Sequence, residues 1–111
     1  MTQYTVEELE RVGGREWRKS DSLHRVYFDI TPEMIGITVE YYNTGNIQRA
    51  TRDGEVVSNN TARGYLNDLR HRMWYDVVTG QFMSQGFENE WIVKRAKRYI
   101  ESAIEATRQA A

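Results

Sequence analysis

The stretch ITVEYYNTGNIQRATRDGEVV, residues 37–57, decides how this chain folds. Ile37, Val39 and Tyr41 alternate with Thr38, Glu40 and Tyr42, the period of two that sends successive side chains to opposite faces of a strand. Asn43-Thr44-Gly45-Asn46 reverses the chain into a second run, Ile47 to Arg52. Asp53-Gly54 is the strongest short hairpin signal, because both central residues of a type I′ turn need positive φ. The return through Glu55-Val56-Val57 completes a three-stranded meander.

On the C-terminal side, Ser58-Asn59-Asn60 offers helix-capping side chains. Ala62, Tyr65, Leu66, Leu69 and Met73 then follow at helical spacing. Met73 to Val78 has the aromatic and β-branched content of a strand, Thr79-Gly80 is a turn, and Gln81-Phe82-Met83 returns. A last helix is expected from about Asn89 to Arg108, burying Ile92, Ala96, Tyr99, Ile100, Ala103 and Thr107. On the N-terminal side, Thr5 and Glu8 form a capping box for a short helix that Gly13-Gly14 ends. Arg15 to Lys19 and Leu23 to Ile30 read as strands, joined by Ser20-Asp21-Ser22. Thr31-Pro32 opens one helical turn that ends at Gly36. Tight hairpins outnumber crossover helices, so the expected class is α+β: an antiparallel sheet, meander plus hairpin, with helices packed mainly on one face.

The 111 residues suffice for one core, so residues 1–111 are read as a single domain. Fifteen Lys+Arg against sixteen Asp+Glu leave a net charge of -1, which gives no whole-molecule attraction to nucleic acid or anionic membrane. There is no cysteine, which excludes disulfides, thiol catalysis and Cys-ligated metal. Met1 to Glu8 has neither a basic n-region nor an apolar run, and no stretch nears a membrane span, so a cytoplasmic protein without membrane contact is expected.

No serine sits in a nucleophile elbow, the glycines form no nucleotide fingerprint, and His24 lacks a second ligand at metal spacing. Neither catalysis nor a cofactor or metal is therefore expected. Two surfaces remain. The mixed side of the sheet would display Trp17, Arg18, Arg25, Tyr27, Tyr42, Arg49 and Arg52, a set suited to protein hot spots or to bases and phosphates. Lys94, Arg95 and Arg98, with Lys97, fall opposite the apolar stripe of the last helix. Exposed charge runs mostly serve solubility, and Glu90 with Lys94 and Lys97 with Glu101 have the spacing of ordinary helix pairs. Arg63 lies on a flank of the middle helix.

The chain also carries Trp17, then Arg25-Val26-Tyr27-Phe28, then Tyr42-x-Thr44-Gly45-Asn46-Ile47 with Ala50. Gly54-Glu55, Ser58-Asn59 with Ala62-Arg63, and Tyr75-Asp76 with Gly80 follow. In these residues, from Trp17 to Phe82, it resembles a small uncharacterised domain of proteins from phages, plasmids and other bacterial mobile elements. The resemblance implies context without chemistry: accessory factors that bind a host defence component or handle nucleic acid. It directs attention to Tyr42, Asn46 and Arg63. The expected function is a non-catalytic inhibitor or adaptor that occludes a surface of a host protein, with single-stranded nucleic-acid binding by the same aromatic and Arg face as the alternative. The oligomeric state stays open.

Overall fold

The computed structural model describes residues 3–110. The elements are α1 (Val6–Arg11), β1 (Arg15–Ser20), β2 (Leu23–Phe28), a 3-10 turn (Pro32–Ile35), β3 (Ile37–Tyr41), β4 (Ile47–Arg52), β5 (Glu55–Val57), α2 (Asn59–Asp68), β6 (Arg72–Asp76), β7 (Gln81–Gln85) and α3 (Glu90–Ala110).

Local chemistry sets the boundaries. At α1 the Thr5 hydroxyl accepts from the Glu8 backbone N–H while the Glu8 carboxylate accepts from the Thr5 N–H, both at 3.1 Å. Ser58 caps α2 by accepting from the Thr61 N–H at 3.1 Å. Asp53 and Gly54 take φ of 52° and 88°, the two positive values a type I′ turn requires between β4 and β5.

The architecture is α+β with antiparallel pairing throughout, but the strands divide into two sheets. The meander is a sheet of its own, β3-β4-β5. The other four strands pair in the order β1-β2-β6-β7. Joining the β1-β2 hairpin to the β6-β7 hairpin takes the β2-β6 pairing, Phe28 opposite Met73 and Arg25 opposite Asp76, across the whole meander and α2. Pairing of that range leaves no trace in local periodicity.

One main core lies between the four-stranded sheet and the helices α1 and α3. It contains Leu9, Val26, Phe28, Met73 and Tyr75, with Ile92, Ala96, Ile100 and Ile104 in steps of four along α3. Each fully buried isoleucine contributes about 1.5–3 kcal/mol relative to exposure. That stripe leaves Tyr99 on the outer flank, exposed, where burial was expected. A smaller cluster, Ile47, Ala50 and Ala62, packs the meander on α2, and Val39 touches both clusters.

Two polar clasps tie the units together. Arg95 of α3 donates to both oxygens of Asp53 in the β4-β5 turn, at 2.6 and 3.1 Å, and its hydrogen bonds hold the Asp53 carboxyl below its ordinary range. Gly36, at φ 74°, passes so close beneath this pair that a Cβ there would collide with the Asp53 carboxylate. The buried Asp68 at the end of α2 accepts from the Glu88 and Asn89 backbone N–H groups and from the Asn89 amide, fixing the entry to α3.

Candidate functional site

Helices α1 and α3 pack on one side of the four-stranded sheet, where the main core lies. Alternation aims Val26, Phe28, Met73 and Tyr75 at the core, so Trp17 of β1, Arg25 and Tyr27 of β2, Arg72 and Trp74 of β6 and Met83 of β7 point outward. Register assembles them: Trp17 lies opposite Arg25, Tyr27 opposite Trp74, and Trp74 opposite Met83.

The Arg25 guanidinium is sandwiched between two indoles, 5.7 Å from the Trp17 ring centre and 4.6 Å from that of Trp74. It also donates to the Tyr27 hydroxyl at 3.0 Å. Tyr27 meets Trp17 edge-on at 6.4 Å and Trp74 at 5.6 Å, and Arg72 stands 5.8 Å over Tyr27. Such cation–π contacts are each worth about 0.5–1 kcal/mol when exposed and up to about 2 when desolvated. Trp74 is buried beneath this layer, and its Nε1 hydrogen has no acceptor among the described residues.

Beside the stack, an open groove of about 680 Å³ runs between β1-β2 and the α2-β6 connection. Its charges do not balance. Arg15 pairs with Asp29 at 3.0 Å, and Glu16 is engaged by His24 at 2.6 Å. Arg25, Arg70 and Arg72 have no carboxylate within ion-pair reach among the described residues. Arg70 donates to Asn67 at 3.2 Å.

The seven residues expected on one mixed sheet face are distributed over two sheets, both of their sides and one turn. Trp17, Arg25 and Tyr27 come together. Arg18 cannot share the side of its neighbour Trp17, and it pairs with Asp21 near the hairpin tip. Tyr42 is exposed in the β3-β4 turn, where its backbone N–H donates to Asn46 at 2.8 Å. Arg49 points outward from the meander opposite Glu40. Arg52 has the other parity and turns inward, 3.7 Å over the Trp91 ring and 5.9 Å over that of Tyr65.

Arg63 donates to Asn60 at 3.1 Å on the exposed side of α2. Lys94 and Arg98 are exposed on α3, whereas Arg95 is committed to Asp53 rather than free in solvent. Arg15, Arg72 and Trp74 belong to the site without standing out in the sequence. The signal they carry there is Arg72-x-Trp74, two residues of one parity in an aromatic strand, and it becomes informative only once β6 is known to lie beside β2.

The described residues contain no cluster of three or more His, Asp or Glu side chains that could hold a metal ion, and no helix among them is long and apolar enough to cross a membrane. No protein-family model matches the chain, and neither a curated protein nor a solved structure matches it.

Proposed function

We propose that this is a non-catalytic binding protein that acts through protein–protein contacts, with the outer face of the four-stranded sheet as its recognition surface. The observation that carries this reading is the Trp17–Arg25–Trp74 stack. Trp, Tyr and Arg dominate interface hot spots, and here the long Arg side chain is ordered before any partner arrives. Its rotamer entropy, about 2 kcal/mol, is not charged to the binding step. The three arginines without carboxylates call for an acidic surface on the partner. The resemblance to mobile-element domains supplies the setting: a cytoplasmic inhibitor or adaptor that covers a functional surface of a host protein, a bacterial defence component among the candidates.

Single-stranded nucleic acid is the second reading, favoured by the same uncompensated guanidiniums. Against it, Arg25 already lies over the two indoles that would serve as a stacking platform, and Trp74 is buried.

Capture from bacterial lysate with the intact chain, with Trp17→Ala and with Arg25→Ala tests the first reading. A stoichiometric protein retained by the parent and lost with both variants is the expected result. Equal recovery with all three baits refutes it. Anisotropy titration with labelled single-stranded RNA and DNA at low salt decides the second. Binding lost with Arg70→Ala and Arg72→Ala would replace the protein reading by the nucleic-acid one.

A further inference from the structure

The two edges of the four-stranded sheet are built differently. The β1 edge carries Arg15, Glu16, Arg18 and Lys19 in six residues, the charge density that keeps an exposed edge from pairing. The opposite edge, β7, reads Gln81-Phe82-Met83-Ser84-Gln85, with no charge and no proline. Its outer backbone groups have no strand partner among the described residues.

Alongside β7 runs α3, and the trough between them holds two clefts. One, of about 350 Å³, lies between Ser84 and Phe87 on one side and Glu90, Val93 and Lys94 on the other. The second, of about 380 Å³, is lined by Gln81 and Phe82, by the α3 residues Lys97 and Glu101, and by Gln3 and Tyr4 of the segment before α1. The spacing of Glu90 with Lys94 and of Lys97 with Glu101 suggested internal neutralisation, but neither pair forms. Glu101 instead accepts from the Tyr4 hydroxyl at 3.2 Å. Among the described residues Lys94 and Lys97 are exposed, with no carboxylate in ion-pair reach.

We propose that β7 and the facing flank of α3 form a strand-addition groove for an extended segment of the partner protein, one carrying carboxylates at positions i and i+2. This rests on the reading of the chain as a protein-binding protein. An added strand takes its main-chain hydrogen bonds from the open edge and its specificity from pockets for alternate side chains. Same-face side chains of that strand stand about 6.6 Å apart. Lys94 and Lys97 are separated by about 4.5 Å along the helix, a mismatch that their flexible stems absorb. The residue between the two carboxylates falls on the outer side beside the exposed Met83, so an apolar side chain belongs there.

A second copy is the poorer occupant. Antiparallel pairing of β7 with itself reverses the order along α3, brings Lys94 toward the Lys97 of the other copy, and adds a strand, Gln81–Gln85, that carries no carboxylate.

The test uses the intact, 15N-labelled protein and three synthetic blocked peptides of about nine residues, the length that covers one edge strand. The first alternates valine and threonine with glutamate at two central same-side positions, the second has lysine at those positions, and the third is the first with a central proline. The expected result is amide shifts and slowed exchange confined to Gln81–Gln85 and Glu90–Glu101 with the glutamate peptide. The lysine peptide and the Lys94→Ala/Lys97→Ala double variant should each bind about ten-fold or more weakly, and the proline peptide should not bind. Absence of shifts at about 1 mM, equal binding of the lysine peptide, or shifts on β1 or the Trp17 face each overturn the proposal. Concentration-dependent dimerisation through β7 overturns it in favour of the second copy. If the peptides fail while Trp17-dependent capture of a partner persists, the groove falls and the protein-binding reading stands.

Discussion

Arg52 of β4 stands 3.7 Å from the centre of the Trp91 ring of α3, and Tyr65 of α2 meets that same indole edge-on at 4.9 Å. Three elements of different origin are joined at this point, and the Arg is the only one of the three side chains that comes from the meander. Arg52→Ala is expected to cost about 2 kcal/mol, the range of a partly desolvated cation–π contact, and to change Trp91 emission. Arg52→Lys should fall between the two, because an ammonium keeps the charge but not the planar stack. Urea denaturation of the three proteins checks the order.

The two indoles on the outer sheet face should separate stability from recognition. Trp17 is 41 % exposed and Trp74 8 %. Trp17→Ala should change stability by less than about 1 kcal/mol, as surface substitutions do, while removing partner binding. Trp74→Ala should cost about 3–5 kcal/mol. Because the Trp74 N–H has no acceptor among the described residues, Trp74→Phe should cost much less than Trp74→Ala, below about 1.5 kcal/mol. Thermal and denaturant midpoints of the set give the comparison.

Asp68 is the one buried charged side chain among the described residues. Burial by itself would raise its carboxyl, but the hydrogen bonds from Asn89 and from the Glu88 and Asn89 backbone prevail and hold it below the ordinary value. Asp68→Ala strands these donors at the start of α3, and a loss of about 3 kcal/mol is expected. Hydrogen exchange should then accelerate first in the amides of residues 88–92.

Glu8 should govern the acid limit of the N-terminal helix. Arg108 of α3 donates to it and to the Gln3 carbonyl, and the Thr5 N–H adds a third donor, so its carboxyl falls from the ordinary 4.5 to about 2. A carboxyl depressed in the folded state stabilises fully above its unfolded value, and that contribution disappears as pH falls through the folded one. The Tm difference between the parent and Glu8→Gln should therefore be constant above pH about 5 and shrink toward zero near pH 2. A difference that grows on acidification would contradict the assignment.

Much of the architecture is legible in the order of the residues. The Asp53-Gly54 turn, the capping box at Thr5, the Ser58 cap and the amphipathic α2 and α3 each depend on residues a few positions apart, and short-range chemistry settles them. Part of the proposed recognition face is legible too, since Trp17, Arg25 and Tyr27 lie on one hairpin whose alternation orients them. The remainder is not. Trp74 and Arg72 reach the same face only through the β2-β6 register, and Arg52 and Arg95, read as surface cations, are drawn inward by Trp91 and Asp53, partners 39 and 42 positions away.

The sequence by itself determined which segments become strands and helices and which side of each is apolar, because periodicity, capping and turn chemistry act over a single element. Only the tertiary structure decided that the meander stands apart from the four-stranded sheet, that Arg25 closes between two indoles, and that β7, uncharged and beside Lys94 and Lys97, has no outer strand partner among the described residues. Those outcomes follow from which hydrophobic faces find each other in three dimensions, and many pairings of the same strands share one local pattern.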